Sequence, residues 1–138
     1  MPSVWKADRI RAATATIFAE MSALALATQS INLGQGFPDT DGPAFMLEEA
    51  RAAIAGGVNQ YPPGRGILPL RQAIGAHSSR TYGLSYDPDT EILVTTGATE
   101  ALAASILAFV NPGDEVIALE PFYDSYAASI ELAGGQRV

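Results

Sequence analysis

The sequence predicts an α/β fold with a mostly parallel sheet. Two short apolar runs, residues 91–96 and 115–119, have the length and the β-branched content of strands. A segment of helical composition follows each run, at residues 98–110 and 123–133. Strands that alternate with helices of this length are typical of right-handed βαβ units, in which the strands are parallel.

Length and composition fit one globular domain. The chain has 138 residues, of which 48% are apolar, and it contains no cysteine and a single histidine, His77. Disulfide frameworks, thiolate metal sites and a histidine-based metal site are therefore excluded. The net charge of −7 has the wrong sign for binding to phosphate backbones, so we expect no nucleic-acid partner.

The first element is predicted to be an amphipathic helix. Its apolar residues recur at spacings of three or four positions: Ile10, Ala13, Ile17, Met21 and Leu24. A secretory signal is the alternative, because basic residues precede an alanine-rich stretch, but Glu20 places a charge inside that stretch. No other segment approaches the ~18 apolar residues of a membrane span, so we expect a cytoplasmic protein without membrane contact.

Two further helices are predicted, and an irregular segment precedes each of them. Residues 29–42 are rich in glycine, proline and aspartate, and Pro43 then suits the start of a helix over 43–55. Residues 59–66 form the second irregular segment, and the following apolar pattern predicts a helix over 68–82. These two segments are too long to be simple turns, so we expect each loop to have a defined position.

The last five residues predict a turn followed by the opening of a third strand. Gly134 and Gly135 form the turn, and residues 136–138 begin the strand. A sheet that ends there leaves unpaired backbone groups. We therefore expect the amino-terminal part of a longer, truncated protein; a frayed carboxy-terminal tail is the alternative.

A candidate anion site lies where the first predicted strand turns into its helix. The sequence from residue 95 to 100 is Thr-Thr-Gly-Ala-Thr-Glu. A helix that starts here directs backbone N–H groups and its positive dipole end at one point. Gly97 and Ala98 would let a phosphate approach the backbone, and the Thr99 hydroxyl adds a donor. An ordinary strand-to-helix turn with a threonine N-cap is the alternative, and neither a P-loop nor a G-x-G-x-x-G motif is present.

Two consecutive aromatic residues follow the second predicted strand. Phe122 and Tyr123 stand at the carboxyl end of a parallel strand, the edge at which open α/β sheets bind ligands. One of these rings could stack on a flat cofactor. Packing of both rings in the core is the alternative.

Four motifs together resemble the class I/II aminotransferases, which are pyridoxal 5′-phosphate (PLP) enzymes of fold type I. Their order and spacing match the family, the resemblance covers nearly the whole chain, and it is closest to the N-succinyldiaminopimelate and kynurenine–glutamine aminotransferases. The motifs are Asn-Leu-Gly-Gln-Gly-Phe-Pro-Asp at 32–39, Asn-Gln-Tyr-Pro-Pro-Gly at 59–64, Thr-Gly-Ala-Thr-Glu-Ala at 96–101, and Asn-Pro-Gly-Asp-Glu-Val at 111–116 followed by Glu-Pro-Phe-Tyr-Asp at 120–124.

The resemblance implies a particular organisation of the fold. The chain would form an incomplete three-layer α/β/α PLP-transferase large domain with a mostly parallel sheet, preceded by an amino-terminal helical arm. Residues 1–42 would be the arm helix and the substrate-side loop, and residues 43–138 the first part of the PLP-binding large domain. Family members are homodimers, so the complete protein is expected to be one as well.

The resemblance also implies which residues bind the cofactor. The backbone N–H groups around Gly97, Ala98 and Thr99 would hold the cofactor phosphate, and the Tyr123 ring would stack on the pyridine. Tyr61 matches a tyrosine that reaches the phosphate from the partner subunit of the dimer. A packed loop tyrosine is the alternative for Tyr61.

Substrate binding is implied at a single glycine of this chain. Gly36 matches the position whose backbone N–H meets the substrate carboxylate, and a simple turn glycine is the alternative. The substrates of the complete enzyme would be an amino acid and a 2-oxo acid.

The chain departs from the family in lacking its catalytic residues. Transamination needs a lysine that bonds to the cofactor and moves the substrate proton, a carboxylate at the ring nitrogen and an arginine clamp. Lys6 is the only lysine and does not match the lysine motif, and neither Glu120 nor Asp124 matches the carboxylate. We therefore assign no catalytic residue and expect the chain alone to be inactive and to bind the cofactor weakly or not at all.

Two other functions remain open on the sequence. The chain could be a non-catalytic remnant that pairs with another aminotransferase chain through its arm and the Tyr61 loop. It could also be an unrelated small α/β phosphate-binding module, although that leaves the two early loops unexplained.

Overall fold

The computed structural model describes residues 7, 9, 16–36, 38 and 40–138. The part of the chain that it describes contains five helices and two strands: α1 Ile17–Thr28, α2 Ala44–Ala55, α3 Leu68–Tyr82, α4 Gly97–Phe109, β1 Glu115–Val116, α5 Asp124–Ala133 and β2 Gln136–Arg137. It divides into two compact units, one formed by the described residues up to 37 together with Thr96–Val138, the other by Pro38–Thr95. The expected division between residues 42 and 43 stays a prediction.

A parallel βαβ unit forms the centre of the first unit. β1 and β2 pair in parallel, with Glu115 opposite Gln136 and Val116 opposite Arg137, and α5 connects them. Helices α4 and α5 pack on each other. The predicted opening of a strand at 136–138 is thus confirmed, and the structure agrees with part of an α/β domain.

Described residues cover only one face of β1 and of residues 117–119, which continue it. Val116 and Ala118 are half-buried, whereas the alternating Ile117 and Leu119 are exposed. Side chains along a strand point to opposite faces in turn, so the second pair lies on the open face. Strands of parallel sheets are usually apolar on both faces because helices cover both, and here the described residues leave one of the two faces open.

The prediction of a sheet strand at 91–96 is wrong. Residues 92–95 have no regular structure, and the Val94 N–H donates to the Arg65 carbonyl oxygen at 3.2 Å, in a loop. A strand is defined by a ladder of bonds to a neighbouring strand, and no described segment supplies that ladder here. Ile92 is nevertheless buried, so the apolar run correctly identified a packed segment.

Helices α2 and α3 confirm the two helices that were predicted over 43–55 and 68–82. Pro43 occupies the N-cap position of α2, so the helix begins one residue after the predicted start, and Gly56 follows its last residue. α3 has the predicted bounds, and Gly83 ends it with a φ of 69°, a conformation that costs glycine little.

Arg71 joins two turns within this second unit. Its side chain is buried, its Nε donates to the Gly66 carbonyl oxygen at 3.1 Å, and its Nη1 donates to Asp89 Oδ1 at 3.1 Å and to the Pro88 carbonyl oxygen. A buried guanidinium requires such partners. The turn that ends at Gly66 and the turn around Asp89 are therefore held together by one side chain.

The second of these turns is closed by a carboxylate. Hydrogen bonds from the Asp89 N–H and the Thr90 hydroxyl, helped by the positive charges of Arg65 and Arg71, lower the pKa of Asp87 from its ordinary value of 3.8. A carboxyl whose pKa is lower in the folded state stabilises that state above its ordinary pKa. The turn should therefore loosen as the pH falls through the lowered pKa of Asp87.

Helix α1 is the described part of the predicted first helix. The Thr16 hydroxyl oxygen accepts a hydrogen bond from the Ala19 N–H at 3.2 Å, and Gln29 ends the helix with a φ of 54°. The predicted residues 10–15 and Lys6 lie outside the described residues. Among the helices that the structure describes, none is both long and apolar enough to cross a membrane.

Candidate functional site

The candidate phosphate site is the first turn of α4. Thr96 is the N-cap and Gly97 opens the helix with a φ of 77°, a conformation that other residues rarely adopt. Ala98 and Thr99 follow and are exposed. Because the first N–H groups of a helix have no acceptor within it, the backbone N–H groups of Ala98 and Thr99 suit an anion.

Glu100 closes this turn in a way that sequence reasoning missed. Thr96 makes no side-chain cap hydrogen bond, and its backbone N–H instead donates to Glu100 Oε2. The alternative of a threonine N-cap is thus correct in that Thr96 is the N-cap residue. Its hydroxyl, however, does not accept the capping hydrogen bond. The carboxylate of Glu100 therefore fixes the start of α4.

Tyr123 stands at the N-cap of α5, immediately after the segment that leaves β1. Its ring is 49% exposed and contacts two other rings, Phe18 at 5.9 Å and Tyr126 at 6.3 Å between centroids. The alternative, in which this tyrosine packs in the core, is therefore only partly correct. A half-exposed ring that neighbouring rings hold in place is suited to stack on a flat ligand.

Polar groups and open space surround the Tyr123 position. A cleft of about 480 Å³ is lined by Glu120, Pro121 and Phe122. In the described structure, Asp124 Oδ2 and Ser125 Oγ are buried without a hydrogen-bond partner. Unpaired buried polar atoms are uncommon in native proteins and often mark a place where a further group binds.

The loop that contains Gly36 is bound to α1. The Ser22 hydroxyl accepts a hydrogen bond from Asn32 Nδ2 at 3.1 Å and donates to Gln35 Oε1 at 3.4 Å. Asn32 Oδ1 in turn accepts from the Gly34 N–H at 3.0 Å. Gly36 itself is exposed, and apart from its chain neighbours no heavy atom of the described residues lies within 4 Å of the place where a Cβ would be, so a ligand can approach its backbone.

Removing the Ser22 hydroxyl should loosen this loop. In Ser22→Ala, Asn32 and Gln35 lose their common partner, and a hydrogen bond contributes enough that hydrogen exchange at the Gly34 N–H should accelerate by about two- to ten-fold. Ser105→Ala is the matched control, because its hydroxyl donates to the Ala101 carbonyl oxygen within α4. Equal exchange in both variants would show that Ser22 does not hold the loop.

Tyr61 lies in the other compact unit, Pro38–Thr95. Its side chain is fully exposed, so the alternative of a packed loop tyrosine is wrong within this chain. The remaining candidates, Gly36, Gly97, Ala98, Thr99 and Tyr123, belong to the first unit. The ligand contacts expected of all six residues stay predictions.

Three residues with contacts to the site were not identified from the sequence. Phe18 touches Tyr123, Ser22 holds the Gly36 loop, and Arg137 pairs with Glu120 at 2.9 Å. Each is distant in sequence from its partner and lies in no motif.

Among the residues that the structure describes, no group of three or more histidine, cysteine, aspartate or glutamate side chains could hold a metal ion.

A parallel βαβ unit, with a glycine-initiated helix before it and an aromatic residue at its carboxyl edge, is consistent with the large domain of the fold type I PLP transferases. Residues 28–138 match the family described as aminotransferase class I and II. The chain belongs to this family, which confirms the resemblance recognised from the motifs.

Curated relatives and solved structures agree with this assignment. A probable N-succinyldiaminopimelate aminotransferase from Mycobacterium tuberculosis is 60% identical over 131 residues, which are 95% of this chain and 33% of the relative. The methionine aminotransferase of Escherichia coli is 54% identical, over 87% of this chain and 31% of that protein. The solved M. tuberculosis N-succinyldiaminopimelate aminotransferase superimposes with a TM-score of 0.90 at 59% identity, covering 96% of this chain and 35% of that one.

The chain thus spans about a third of the length of the curated relatives that it matches. This share agrees with the expectation that the chain corresponds to the amino-terminal part of an aminotransferase. Residues outside the matched third of those relatives have no counterpart in this sequence.

Proposed function

We propose that this chain supplies the phosphate-binding turn and the ring-stacking tyrosine of a PLP-dependent aminotransferase. The main support is the first turn of α4, which begins at a glycine with positive φ and places the backbone N–H groups of two exposed residues at a positive helix end. The whole protein would exchange an amino group between an amino acid and a 2-oxo acid. We further propose a cytoplasmic homodimer, in which the exposed Tyr61 approaches the phosphate of the partner's cofactor.

The residues of the first unit fit PLP in two respects. The N–H groups of Ala98 and Thr99 and the Thr99 hydroxyl would bind the phosphate, whose negative charge the helix dipole favours. The exposed side of Tyr123 would hold the ring in a fixed plane. When bound, PLP supplies an electron sink for the charge that develops at the substrate α-carbon.

Substrate orientation is proposed for Gly36. Its backbone can be approached closely because it has no side chain and no atom of the described residues fills that space. A hydrogen bond from its N–H to the substrate carboxylate would fix the amino acid relative to the ring, and the bonds from Ser22 and Asn32 would keep the loop in place.

Proton transfer is not assigned to any residue of this chain. Lys6 is the only lysine in the sequence and lies outside the described residues. The 138-residue chain alone should therefore show no transamination. Any borohydride-reducible adduct that it forms with PLP should map to Lys6 or the terminal amine.

A chimera tests the proposed roles directly. Residues 1–138 would replace the matched third of the 60%-identical M. tuberculosis relative, so that that relative supplies the remaining two thirds. We expect this protein to bind PLP and to prefer it to pyridoxal, which lacks the phosphate. Failure of the folded chimera to bind PLP would contradict the proposal.

Thr99→Val in the chimera separates the phosphate contact from general damage. Loss of one hydrogen bond to a charged group should weaken PLP binding by about ten- to a hundred-fold and leave pyridoxal binding unchanged. Thr81→Val, at an exposed threonine of α3, is the matched control. An equal loss for PLP and pyridoxal would show that Thr99 does not bind the phosphate.

A further inference from the structure

Arg137 contacts both ends of the short segment that leads to Tyr123. In the parallel pair it lies opposite Val116, so it sits beside the carboxyl end of β1. Its Nη1 donates to Glu120 Oε1 at 2.9 Å, and its guanidinium carbon lies 4.9 Å from the centre of the Phe122 ring. One side chain on β2 therefore holds the first and the last residue of the segment 120–122.

A continuous row of rings extends these contacts to Tyr123. Phe122 and Tyr126 stack, with centroids 6.3 Å apart and planes 16° apart. Tyr126 meets Tyr123 edge-to-face at 6.3 Å and 73°. Phe18 touches Tyr123 as well, at 5.9 Å. Rings at these separations attract one another in preferred orientations, so a shift of Phe122 should move the neighbouring tyrosines.

We propose that Arg137 is a positioning residue for Tyr123, acting through Glu120 and through the rings of Phe122 and Tyr126. The inference rests on the proposed function in one respect, that Tyr123 stacks on the cofactor ring. Fixing the tyrosine before the cofactor arrives removes the need to order it during binding, which favours affinity.

The chemistry of this position favours arginine over lysine. Both partners of the ion pair are partly exposed, Arg137 by 44% and Glu120 by 72% of their side chains, and such pairs stabilise little by themselves. The planar guanidinium can bind the carboxylate with its N–H groups and still lie over the Phe122 ring. A lysine can form the ion pair but covers the ring less well, so it should replace arginine only in part.

The position of Tyr123 can be measured without any cofactor. The full chain is labelled with 3-fluorotyrosine, and Tyr123→Phe identifies the resonance of Tyr123 in the fluorine spectrum. We expect Arg137→Met to shift or broaden this resonance and Arg137→Lys to restore it in part. Arg80→Met, at an exposed arginine of the other unit, should leave it unchanged. An unchanged resonance in Arg137→Met would overturn the proposal.

Two milder variants keep the test valid if Arg137→Met fails to fold. Glu120→Gln removes the ion pair and leaves the cation over Phe122, and Phe122→Leu removes the ring and leaves the ion pair. Each should shift the Tyr123 resonance less than the loss of both contacts. A resonance that responds to neither variant would also overturn the proposal.

Cofactor binding by the chimera provides the second measurement. Arg137→Met should weaken binding of PLP and of pyridoxal equally, by about two- to five-fold, because stacking acts on the ring that both share. A loss confined to PLP would contradict a role through Tyr123. A shifted resonance with unchanged affinities would support positioning by Arg137 and contradict stacking by Tyr123, so the two proposals can fail separately.

Discussion

Alanine in place of Gly66 is expected to unfold most of the Pro38–Thr95 unit, whereas alanine in place of Gly64 should have little effect. Gly66 has a φ of 90°, and a Cβ there would lie 2.5 Å from Val94 Cγ2 and 2.7 Å from Val94 Cβ. The unfavourable backbone conformation and the overpacking together should cost about 2–5 kcal/mol of the free energy of unfolding. Gly64 has no atom of the described residues within 4 Å of its Cβ position, and its φ is not positive.

The effect of Gly66→Ala should extend beyond the turn because Gly66 also bonds to other groups. Its N–H donates to the Pro63 carbonyl oxygen at 2.8 Å, and its own carbonyl oxygen accepts from Arg71 Nε. A displaced Gly66 leaves the buried Arg71 guanidinium with one acceptor fewer, and unpaired buried polar groups are costly. The Tyr61 loop, which precedes this turn, should lose its fixed conformation as well.

Urea unfolding followed by circular dichroism, with hydrogen exchange at α3, measures this difference. Gly64→Ala is the matched control because it adds the same methyl group two residues earlier. Val94→Ala combined with Gly66→Ala removes the 2.5 Å contact with Cγ2 but keeps the 2.7 Å contact with Cβ and the backbone cost, so it should recover less than half of the loss. Equal stability of the two single variants would mean that Gly66 tolerates a side chain and that the turn has a different conformation.

The helices of this chain could be predicted because their signals are local. α3 has the predicted bounds, since an apolar pattern of helical period lies between an early proline and the glycine that ends it. The same holds for α2, which ends at a glycine pair. Side-chain spacing and end signals need no information from distant residues.

The strands were predicted less well because a strand depends on its partner. The runs 91–96 and 115–119 look alike in sequence, yet only the second pairs, with the segment at 136–138. No property of residues 92–95 themselves reveals that their backbone meets a loop at Arg65 instead. Pairing depends on residues far away in sequence, so an apolar run indicates burial more reliably than it indicates a ladder.

The candidate site also combines local features, which the sequence predicts, with contacts between distant residues, which it does not. Gly97, Ala98 and Thr99 are contiguous, so one short motif was enough to predict the turn that they form. Arg137 could not be found in this way, because its contact with Glu120 depends on the register between β1 and β2. Glu100 was missed as the acceptor for the Thr96 N–H for a different reason: a glutamate that accepts from the N-cap N–H usually stands three residues after the N-cap, whereas Glu100 stands four residues after Thr96.

Self-association of the purified chain is the second large effect that we expect. Ile92 and Ile130 are the buried apolar side chains among the described residues, while many large ones remain exposed. The open face of the sheet contains Ile117 and Leu119, exposed by 78% and 83%, and Phe109 at the end of α4 is 84% exposed. Soluble monomers rarely leave so much apolar surface uncovered, and an open strand edge adds a pairing site.

Lysine substitutions on the open sheet face test the cause of this association. Burying one large apolar side chain stabilises by about 1.5–3 kcal/mol, so Leu119→Lys should lower the association constant by about ten- to a hundred-fold in sedimentation velocity. Leu26→Lys is the matched control, since Leu26 is equally exposed, at 83%, but lies on α1. Its effect should be smaller, because an apolar residue on a helix surface offers no unpaired backbone groups. Equal effects of the two lysine substitutions would show that exposed apolar side chains in general, and not the open sheet face, cause the association. A monodisperse monomer that melts cooperatively would contradict the prediction of self-association itself.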